Sequence, residues 1–263
     1  MTTHSMRLPD GRTVWSLNRS ETEYLYREIF VDRVYLPPDG LDLPDSPVVV
    51  DAGANIGLFS LFAAAQWPGA TVHAFEPVPE VFDVLCRNAS GTPGIQTHQL
   101  ALGEHPRHTR IRHYPQYTMM SGIDAEPEAD RALVRAYIEN TAADLDEELR
   151  QVVLGRLDEM LDGRFEQRLV DCRVDTLPNV AARAGLTRID LLKIDVEGAE
   201  LAVLRGLDEA TWDLVRHAVV EVASPGGELA EAEKLFAAHG LRTSTVQLPE
   251  YRGTALYFLY ASR

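Results

Sequence analysis

The stretch VVVDAGANIGLFS, from Val48 to Ser60, decides the fold of this chain. Three β-branched residues and a carboxylate lead into a loop with glycines at Gly53 and Gly57, and an apolar segment follows. A buried strand that passes through a glycine turn into a helix begins an open α/β sheet, in which ligands bind beyond the carboxyl ends of the strands. The stretch therefore predicts a ligand-binding turn at residues 51–57.

The bulk composition indicates one α/β domain with an insertion. The chain has 263 residues, of which 45% are hydrophobic, and a formal net charge of −15. A surface of that charge repels nucleic-acid phosphates and anionic lipids, so we expect neither nucleic acid nor a membrane as partner. No apolar run is long enough to span a bilayer, and the first residues lack a signal-peptide core. Cys86 and Cys172 form no metal-ligand pattern, so we expect buried thiols in the cytoplasm.

Strand and helix patterns alternate after Val48, which predicts a mostly parallel sheet with helices on both faces. Predicted strands lie at 48–51, 71–75, 95–101, 168–177, 189–195 and 217–223, and predicted helices at 57–66, 79–89, 178–186, 197–206 and 228–239. The last two segments, 242–248 and 254–261, share a short connection and predict an antiparallel hairpin at one edge of the sheet. Segment 109–114 alternates and predicts an added strand.

Two segments interrupt or precede this alternation. Residues 1–47 are predicted to form an extension, with a hairpin at 7–19 and a helix that begins at a capping box between Ser20 and Glu23. Residues 124–166 are acidic and helix-prone, which predicts a helical insertion within the α/β domain at 48–263. Two hypotheses stay open for this insertion: a solvated pair of surface helices, or a lid over the site.

The glycine turn departs from the dinucleotide fingerprint in two places. Asn55 stands where the second glycine lets a pyrophosphate approach the backbone, and Asp51 brings a carboxylate close to the phosphate position. Both features disfavour NAD or FAD and favour a cationic ligand without phosphate. S-adenosylmethionine (SAM), which carries an ammonium and a sulfonium, is such a ligand. Glu76 ends the next predicted strand, where an acidic residue binds both ribose hydroxyls.

A second group of carboxylates follows the apolar strand IDLLKID. Unpaired buried charge is costly, so carboxylates at the end of such a strand indicate a site. Glu200 is explained by the preference of helix N-termini for negative charge, which also applies to Glu197. Asp195 and Glu221, which lies in the strand HAVVEVA, are harder to explain in that way and are predicted as site residues.

Taken together, these segments resemble the FkbM family of SAM-dependent methyltransferases. The resemblance covers roughly residues 20–225 and is carried by VVVDAGANIGLFSLFAA, HAFEPVPEVFDVLCRNA, HQLALGE and IDLLKIDVEGAELAVLRGL. The opening LNRSETEYLYREIFVDRVYL is similar to members associated with polyketide and peptide synthases, some of which methylate hydroxyls on carrier-bound acyl chains such as hydroxymalonyl.

The resemblance implies a class I methyltransferase fold, a Rossmann-like seven-stranded sheet with an antiparallel C-terminal strand. It also implies roles for individual residues. Asp195 would lie beneath the methyl donor, Glu76 would bind the ribose with Pro77 beside it, and Ala101, Leu102 and Gly103 would lie along the adenine. The methionine part would be held by the turn, at Asp51, Gly53, Ala54, Asn55 and Gly57.

The general base that a hydroxyl acceptor requires is not decided by the sequence. Candidates are His113, Asp195 and Glu221. His113 follows a basic stretch that contains Arg107, Arg110 and Arg112, which either binds a substrate carboxylate or an acidic carrier protein, or is an exposed hairpin. Tyr24, Tyr26 and Tyr117 are candidates to cap the site, with packing as the alternative.

Asp195 and Glu221 also raise the possibility of a Mg²⁺ ion that lowers the pKa of the acceptor, although no third ligand is evident. The leading hypothesis is a SAM-dependent O-methyltransferase acting on a small-molecule or carrier-bound hydroxyl. The alternatives are an NAD-dependent oxidoreductase and a non-catalytic SAM-binding or docking domain of a larger synthase.

Overall fold

The computed structural model describes residues 3–263. In chain order its strands and helices are β1 (His4–Arg7), β2 (Thr13–Ser16), α1 (Arg19–Tyr26), β3 (Val48–Ala52), α2 (Leu58–Gln66), β4 (Thr71–Phe75), α3 (Pro79–Ala89), β5 (Ile95–His98), β6 (Ala101–Leu102), β7 (Arg107–His113), α4 (Pro127–Ala142), α5 (Glu147–Gly155), α6 (Leu157–Leu161), β8 (Arg168–Asp175), α7 (Leu177–Ala184), β9 (Ile189–Ile194), α8 (Glu200–Arg205), α9 (Glu209–Leu214), β10 (Val215–Ala223), α10 (Glu228–Ala238), β11 (Arg242–Val246) and β12 (Leu256–Ser262). A π-helical turn, Arg27–Val31, continues α1.

Seven strands form the central sheet, in the order β11-β12-β10-β9-β3-β4-β5. β12 runs antiparallel to both of its neighbours, and the pairs from β10 to β5 are parallel. The sheet and its reversed strand beside the edge confirm the predicted fold. From β3 the chain passes outward to β4, and it later crosses to β9 on the other side of β3. At such a change of direction a crevice opens beyond the carboxyl ends of the strands, here those of β3 and β9.

Alternate residues of the central strands serve two separate cores. Val49 and Leu191 pack with the aromatic residues of α2 on one face, while Val50 and Leu192 pack with α8, α9 and α10 on the other. All six residues of β9 are buried. A strand covered on both faces has a nearly continuous apolar sequence, which is why IDLLKI reads as a central parallel strand.

The predicted third strand, 95–101, is divided in the structure. β5 ends at His98 and remains in the central sheet, whereas β6 belongs to a small second sheet with the order β6-β8-β7. The Leu100 amide donates to the carbonyl of His98 (3.0 Å), which closes a tight bend between the two pieces. Because of this bend, Ala101 and Leu102 leave the central sheet beside the crevice. The added strand predicted at 109–114 is β7.

The N-terminal residues pack into the same core as the sheet. Met6, Leu25 and Ile29 share a buried cluster with Val49 and Leu191. The division of the chain at residue 47 remains a prediction, but the segment before it contributes directly to the core.

The insertion is helical, as its sequence predicts, and its helices are buried to different degrees. α4 buries Val134 and Ala142, whereas no residue of α5 is buried. Asn140 connects α4 to the turn before β12: its Nδ2 donates hydrogen bonds to the carbonyls of Glu250 and Arg252, both at 2.9 Å. Within residues 3–263, no helix is long and apolar enough to cross a membrane.

The predicted capping box at the start of α1 is wrong. The N-cap is Asn18, whose Oδ1 accepts from the amides of Ser20 (3.0 Å) and Glu21 (3.3 Å). Glu23 pairs with Arg19 instead of returning to the cap. Asn18 is one of the most favourable N-cap residues, so the helix begins earlier than the Ser-x-x-Glu pattern suggests.

We expect Asn18→Ala to lower the free energy of unfolding by about 1 kcal/mol, because two amides lose their acceptor. Ser20→Ala, at an exposed position, should change it by less than about 0.5 kcal/mol. Urea denaturation measures both variants. A larger loss for Ser20→Ala would show that the capping box operates after all.

Candidate active site

A cavity lies at the carboxyl ends of β3, β4 and β9 and is closed from above by α1, α4 and the turn before β12. It encloses about 1260 Å³ of space, counting the solvent at its mouth. One end of the cavity, which we call the cofactor end, is lined by Gly53, Ala54, Glu76 and their neighbours.

The glycine turn is held tightly against the end of β9. Gly53 (φ 79°) and Asn55 (φ 48°) both adopt left-handed backbone conformations. A Cβ atom on Gly53 would lie 1.7 Å from the carbonyl oxygen of Asp195, so only glycine fits there. Asn55 tolerates its conformation with the help of two side-chain hydrogen bonds, accepting from the Ile56 amide (2.7 Å) and donating to Thr118 Oγ1 (3.1 Å).

Asp51 lies behind the turn and does not line the cavity. Its side chain is fully buried, Oδ2 accepts from Ser60 Oγ at 2.6 Å, and Oδ1 lies 3.3 Å from Lys193 Nζ. The sequence suggested direct contact between this carboxylate and a cationic ligand. In the structure Asp51 does not reach the cavity, because Lys193, which lines the cavity, lies between them.

Lys193 connects the turn, Asp51 and Asp195. Its Nζ donates to the Gly53 carbonyl at 2.8 Å and lies 3.1 Å from Asp195 Oδ2. Burial opposes the charge of this lysine, but the adjacent carboxylates of Asp195 and Asp51 outweigh burial and raise its pKa. Tyr35 Oη donates to the same Oδ2 of Asp195 at 2.9 Å. Asp195 is therefore oriented by two partners while its side chain borders the cavity.

Glu76 places a carboxylate at the cofactor end. It is 7% exposed; Oε2 accepts from the Asn55 amide (3.1 Å) and Oε1 from the Val78 amide (2.8 Å). Burial raises the pKa of Glu76 to about 7, despite these two hydrogen bonds. Each oxygen retains a lone pair, so the carboxylate can accept two further hydrogen bonds from a ligand.

Most of the predicted cofactor residues are brought together in this way. Those that line the cavity are Gly53, Ala54, Asn55, Glu76, Pro77, Ala101, Leu102 and Asp195. Asp51 and Gly57 lie behind them, Gly57 at the N-terminus of α2 with φ of 90°.

The opposite end of the cavity, lined by Tyr24, Glu28, Tyr137, Glu221 and Tyr251, is called the acceptor end here. Tyr24 and Tyr251 join their hydroxyls at 2.7 Å, and the Tyr137 ring packs within 5.6 Å of both rings. These tyrosines come from α1, α4 and the turn before β12. Helix α4 therefore covers the site with Tyr137, whereas α5 forms an exposed outer helix.

Glu28 is the most enclosed carboxylate of the acceptor end. It lies on the π-helical turn, is 7% exposed, and accepts from Tyr24 Oη at 2.9 Å through Oε1. Burial, together with the negative charge of Asp195, raises its pKa to about 8. Glu221 and Glu197 are half-buried, and burial with the same charge of Asp195 raises their pKa values as well.

His113 is not brought to the cavity. His113 is the last residue of β7 and its side chain is buried. Its Nδ1 lies 3.1 Å from Ser121 Oγ, and it does not line the cavity. Burial lowers the pKa of His113 to about 4. Of the nearby arginines, Arg112 donates to the carbonyl of Ala125 (2.8 Å) and to Gln167, and Arg107 is exposed on the outer strand. The side chains of His113 and these arginines therefore lie outside the cavity, although Ile111 of the same strand lines it.

A metal ion does not fit the donor set of this site. Among residues 3–263, no group of three or more His, Cys, Asp or Glu side chains is arranged to hold one. Asp195 Oδ2 is already engaged by Lys193 and Tyr35. The described residues of the site therefore do not provide a ligand set for Mg²⁺.

The residues do fit SAM. Gly53 lines the cavity, Glu76 has free lone pairs for two ribose hydroxyls, and Ala101 and Leu102 provide an apolar wall beside it. Together with the sheet order and its reversed β12, these features define a class I methyltransferase.

Comparison with known proteins gives the family. The sequence model of the methyltransferase FkbM domain matches residues 51–243. The chain belongs to the FkbM family and is a SAM-dependent methyltransferase.

Two relatives align over almost the whole chain. The 31-O-demethyl-FK506 methyltransferase FkbM of Streptomyces tacrolimicus is 39% identical over 263 residues, covering 98% of this chain and 96% of that protein. The AMB antimetabolite synthetase AmbE of Pseudomonas aeruginosa is 40% identical over 97% of this chain, which corresponds to only 12% of that protein. A solved structure, the methyltransferase FkbM of Methylobacillus flagellatus, shares the fold with a TM-score of 0.52 at 15% identity, over 86% of this chain and 46% of that one.

Sequence reasoning did not identify Glu28, Tyr35 or Tyr251 as site residues. A signal for Glu28 was present, because it shares the apolar helical face of Leu25 and Ile29, and a carboxylate on such a face is costly unless it has a role. Tyr35 and Tyr251 carry no comparable signal. Of the tyrosines proposed to cap the site, Tyr24 and Tyr117 line it, whereas Tyr26 stacks on Phe30.

We expect Lys193→Met to lower the free energy of unfolding by about 3–5 kcal/mol, because it leaves two buried carboxylates without a counter-charge. The double variant Lys193→Met/Asp51→Asn should recover part of that loss. Urea denaturation measures both. Lys234→Met, at the other lysine of the chain, which is exposed, is the matched control. Wild-type stability of Lys193→Met would contradict the assigned role.

Proposed function

We propose that this protein is an O-methyltransferase of secondary metabolism that methylates a hydroxyl on a small molecule or on a carrier-bound acyl chain. The observation that carries the proposal is the buried carboxylate of Glu28 at the acceptor end, hydrogen-bonded to Tyr24 and with a raised pKa. A hydroxyl needs a proton acceptor during methyl transfer, and this cavity supplies one. The names of the two relatives, which refer to FK506 and an antimetabolite, support secondary metabolism.

SAM, when bound, supplies an electrophilic methyl group on a sulfonium. The cofactor end would hold it by the turn, with Glu76 at the ribose, Ala101 and Leu102 along the adenine, and Asp195 near the cationic end. Asp51 acts through Lys193, which fixes the Gly53 carbonyl and Asp195 in place. These residues would thereby orient the methyl group toward a hydroxyl bound at the acceptor end.

At the acceptor end, Glu28 takes the hydroxyl proton as the oxygen attacks. Tyr24 holds Oε1 of Glu28, so the other oxygen is the one that faces the acceptor. Tyr137 on α4 covers the site and excludes water, which keeps the base and the acceptor in a medium of low dielectric constant. Glu221 is the second carboxylate of this end and the alternative proton acceptor.

The alternatives from other classes are tested by ligand binding. An oxidoreductase is stabilised by NAD, whereas this site should be stabilised by SAM and S-adenosylhomocysteine (SAH) alone. A non-catalytic binding domain would bind SAH and transfer no methyl group. Thermal shift with the three ligands, followed by transfer of labelled methyl from SAM to a panel of alcohols beginning with 31-O-demethyl-FK506, distinguishes all three. Stabilisation by NAD and not by SAH would overturn the proposal.

Glu76→Ala should weaken SAH binding at least about 100-fold, because two hydrogen bonds to a carboxylate are lost. Isothermal titration calorimetry measures the affinity. Glu209→Ala removes an equal charge from the surface and should leave the affinity unchanged, since Glu209 is 92% exposed. An unaltered affinity in Glu76→Ala would mean that the ribose lies elsewhere.

Glu28→Gln should reduce methyl transfer by about 10²- to 10⁴-fold and leave SAH affinity unchanged. In the wild type, kcat/KM should rise with pH through about 8, where Glu28 loses its proton, and the variant should lack that rise.

The same titration affects stability. A carboxyl whose pKa is raised on folding stabilises the protein fully below its unfolded value and loses this contribution as pH rises to about 8. The free energy of unfolding of the free protein should therefore decline between pH 5 and 8, less steeply in Glu28→Gln.

A pH–rate profile identical in the wild type and in Glu28→Gln would assign the base to another residue, with Glu221 the first to test.

A further inference from the structure

The charges that line the cavity are strongly unbalanced. Among its described lining residues are five carboxyl groups and a single basic side chain, that of Lys193; neither arginine nor histidine is among them. The carboxyl groups belong to Glu28, Glu76, Asp195, Glu197 and Glu221. This imbalance is local, because the arginines of β7 lie outside the cavity.

The one cation of the cavity is already paired. Lys193 Nζ lies within 3.3 Å of both Asp51 and Asp195 and donates to the Gly53 carbonyl. All three directions of its ammonium group are thus occupied by the protein. An anionic group that entered the acceptor end would have to displace one of these contacts to obtain a counter-charge.

The carboxyl groups of the acceptor end, by contrast, have spare capacity. Glu28 is more than nine-tenths buried, and its Oε2 accepts no hydrogen bond from any residue within 3–263. The side chains of Glu197 and Glu221 likewise accept none from the described residues. Burial is the largest cause of the raised pKa of all three and the charge of Asp195 the next, so each keeps its proton to a higher pH than a carboxyl in water and becomes an unpaired negative charge once it ionises.

Bound SAM corrects only part of this imbalance. It brings a sulfonium, an ammonium and a carboxylate, and so contributes one net positive charge. The tyrosine rings of the acceptor end add faces that attract cations and pack against apolar groups.

We propose that the hydroxyl to be methylated is borne by an uncharged or cationic group, and that the acceptor end rejects alcohols with a carboxylate or phosphate beside the hydroxyl. This inference rests on the proposed O-methyltransferase function and narrows its substrate class. Hydroxymalonyl, which carries a free carboxylate on the carbon that bears the hydroxyl, is excluded by it. Neutral alcohols and amino alcohols, free or attached through an uncharged thioester, are accepted.

The test uses three probes that share a ring hydroxyl and differ in the charge of the group on the neighbouring carbon: trans-2-hydroxycyclohexanecarboxylate, its carboxamide and trans-2-aminocyclohexanol. Saturation-transfer NMR measures their binding to the SAH-loaded protein at pH 9, above the pKa of about 8 of Glu28. The carboxamide and the amine should bind at least tenfold more tightly than the carboxylate. Hydroxymalonate and its diamide form a second pair, for which the same order is expected.

Two variants link the selectivity to the cavity. Glu221→Gln replaces an ionisable carboxyl group of the acceptor end with a neutral amide and should reduce the preference for the amine over the carboxylate several-fold. Glu209→Gln, which makes the same change at a 92% exposed position, should leave it as in the wild type. Equal affinity for the charged and uncharged probes, including no measurable binding of any, or tighter binding of a carboxylate, would overturn the inference. Failure to bind SAH would instead refute the proposed function.

Discussion

The site depends on one buried cation held between two carboxylates. Asp51 and Lys193 are register partners on the adjacent strands β3 and β9, and Asp195 follows at the end of β9. Because the strands are parallel, their carboxyl ends meet at the same edge, and a lysine there can reach both acids and the carbonyl of the glycine turn. Removing the lysine would leave uncompensated buried charge, so the strand ends and the turn are fixed as a unit.

This constraint explains why the turn has the sequence that it has. Gly53 approaches Asp195 so closely that any side chain would overlap its carbonyl, while Asn55 stabilises its own left-handed conformation through Thr118. The turn is therefore shaped by the protein beneath it as much as by the ligand above. Asp51, the residue that first suggests a cationic ligand, contributes its charge through Lys193.

The acceptor end is assembled from segments that lie far apart in the sequence. Tyr24 and Glu28 come from the first helix and the π-helical turn, Tyr137 from the insertion, and Tyr251 from the connection before β12. A π-helical turn changes the direction in which side chains project and is often found at functional sites. The site is complete only when both ends of the chain have packed against the sheet.

Features of the fold and site that form within a short stretch of sequence are predictable from it, whereas those formed by residues far apart in the chain are not. The central strands and the glycine turn follow from local patterns, since hydrophobic alternation, glycine turns and strand-end carboxylates are present in short stretches such as VVVDAGANIG. The arrangement of the sheet was implied only by the family resemblance. The capping of α1 was mispredicted because Asn18 and Ser20 are both good N-caps two positions apart. His113 looked like a base from its sequence neighbours, but its position in β7 turns the ring inward, a consequence of strand register. Tyr35 and Tyr251 meet the site only through tertiary packing, which no local pattern encodes.

The chemistry and the selectivity proposed for the acceptor end have the same physical origin. Carboxyl groups that are crowded and partly shielded from water hold their protons more tightly, which brings the pKa of Glu28 close to the range in which a base accepts a proton from an alcohol efficiently. Burial is the largest cause of this shift and the charge of Asp195 the next; that charge, and Glu28 itself once ionised, also repel an anionic acceptor. A site that instead bound a carboxylate would need a free arginine or lysine, and that cation would lower the pKa of Glu28 and weaken it as a base. In this cavity, a strong proton acceptor and a preference for uncharged or cationic alcohols therefore accompany one another.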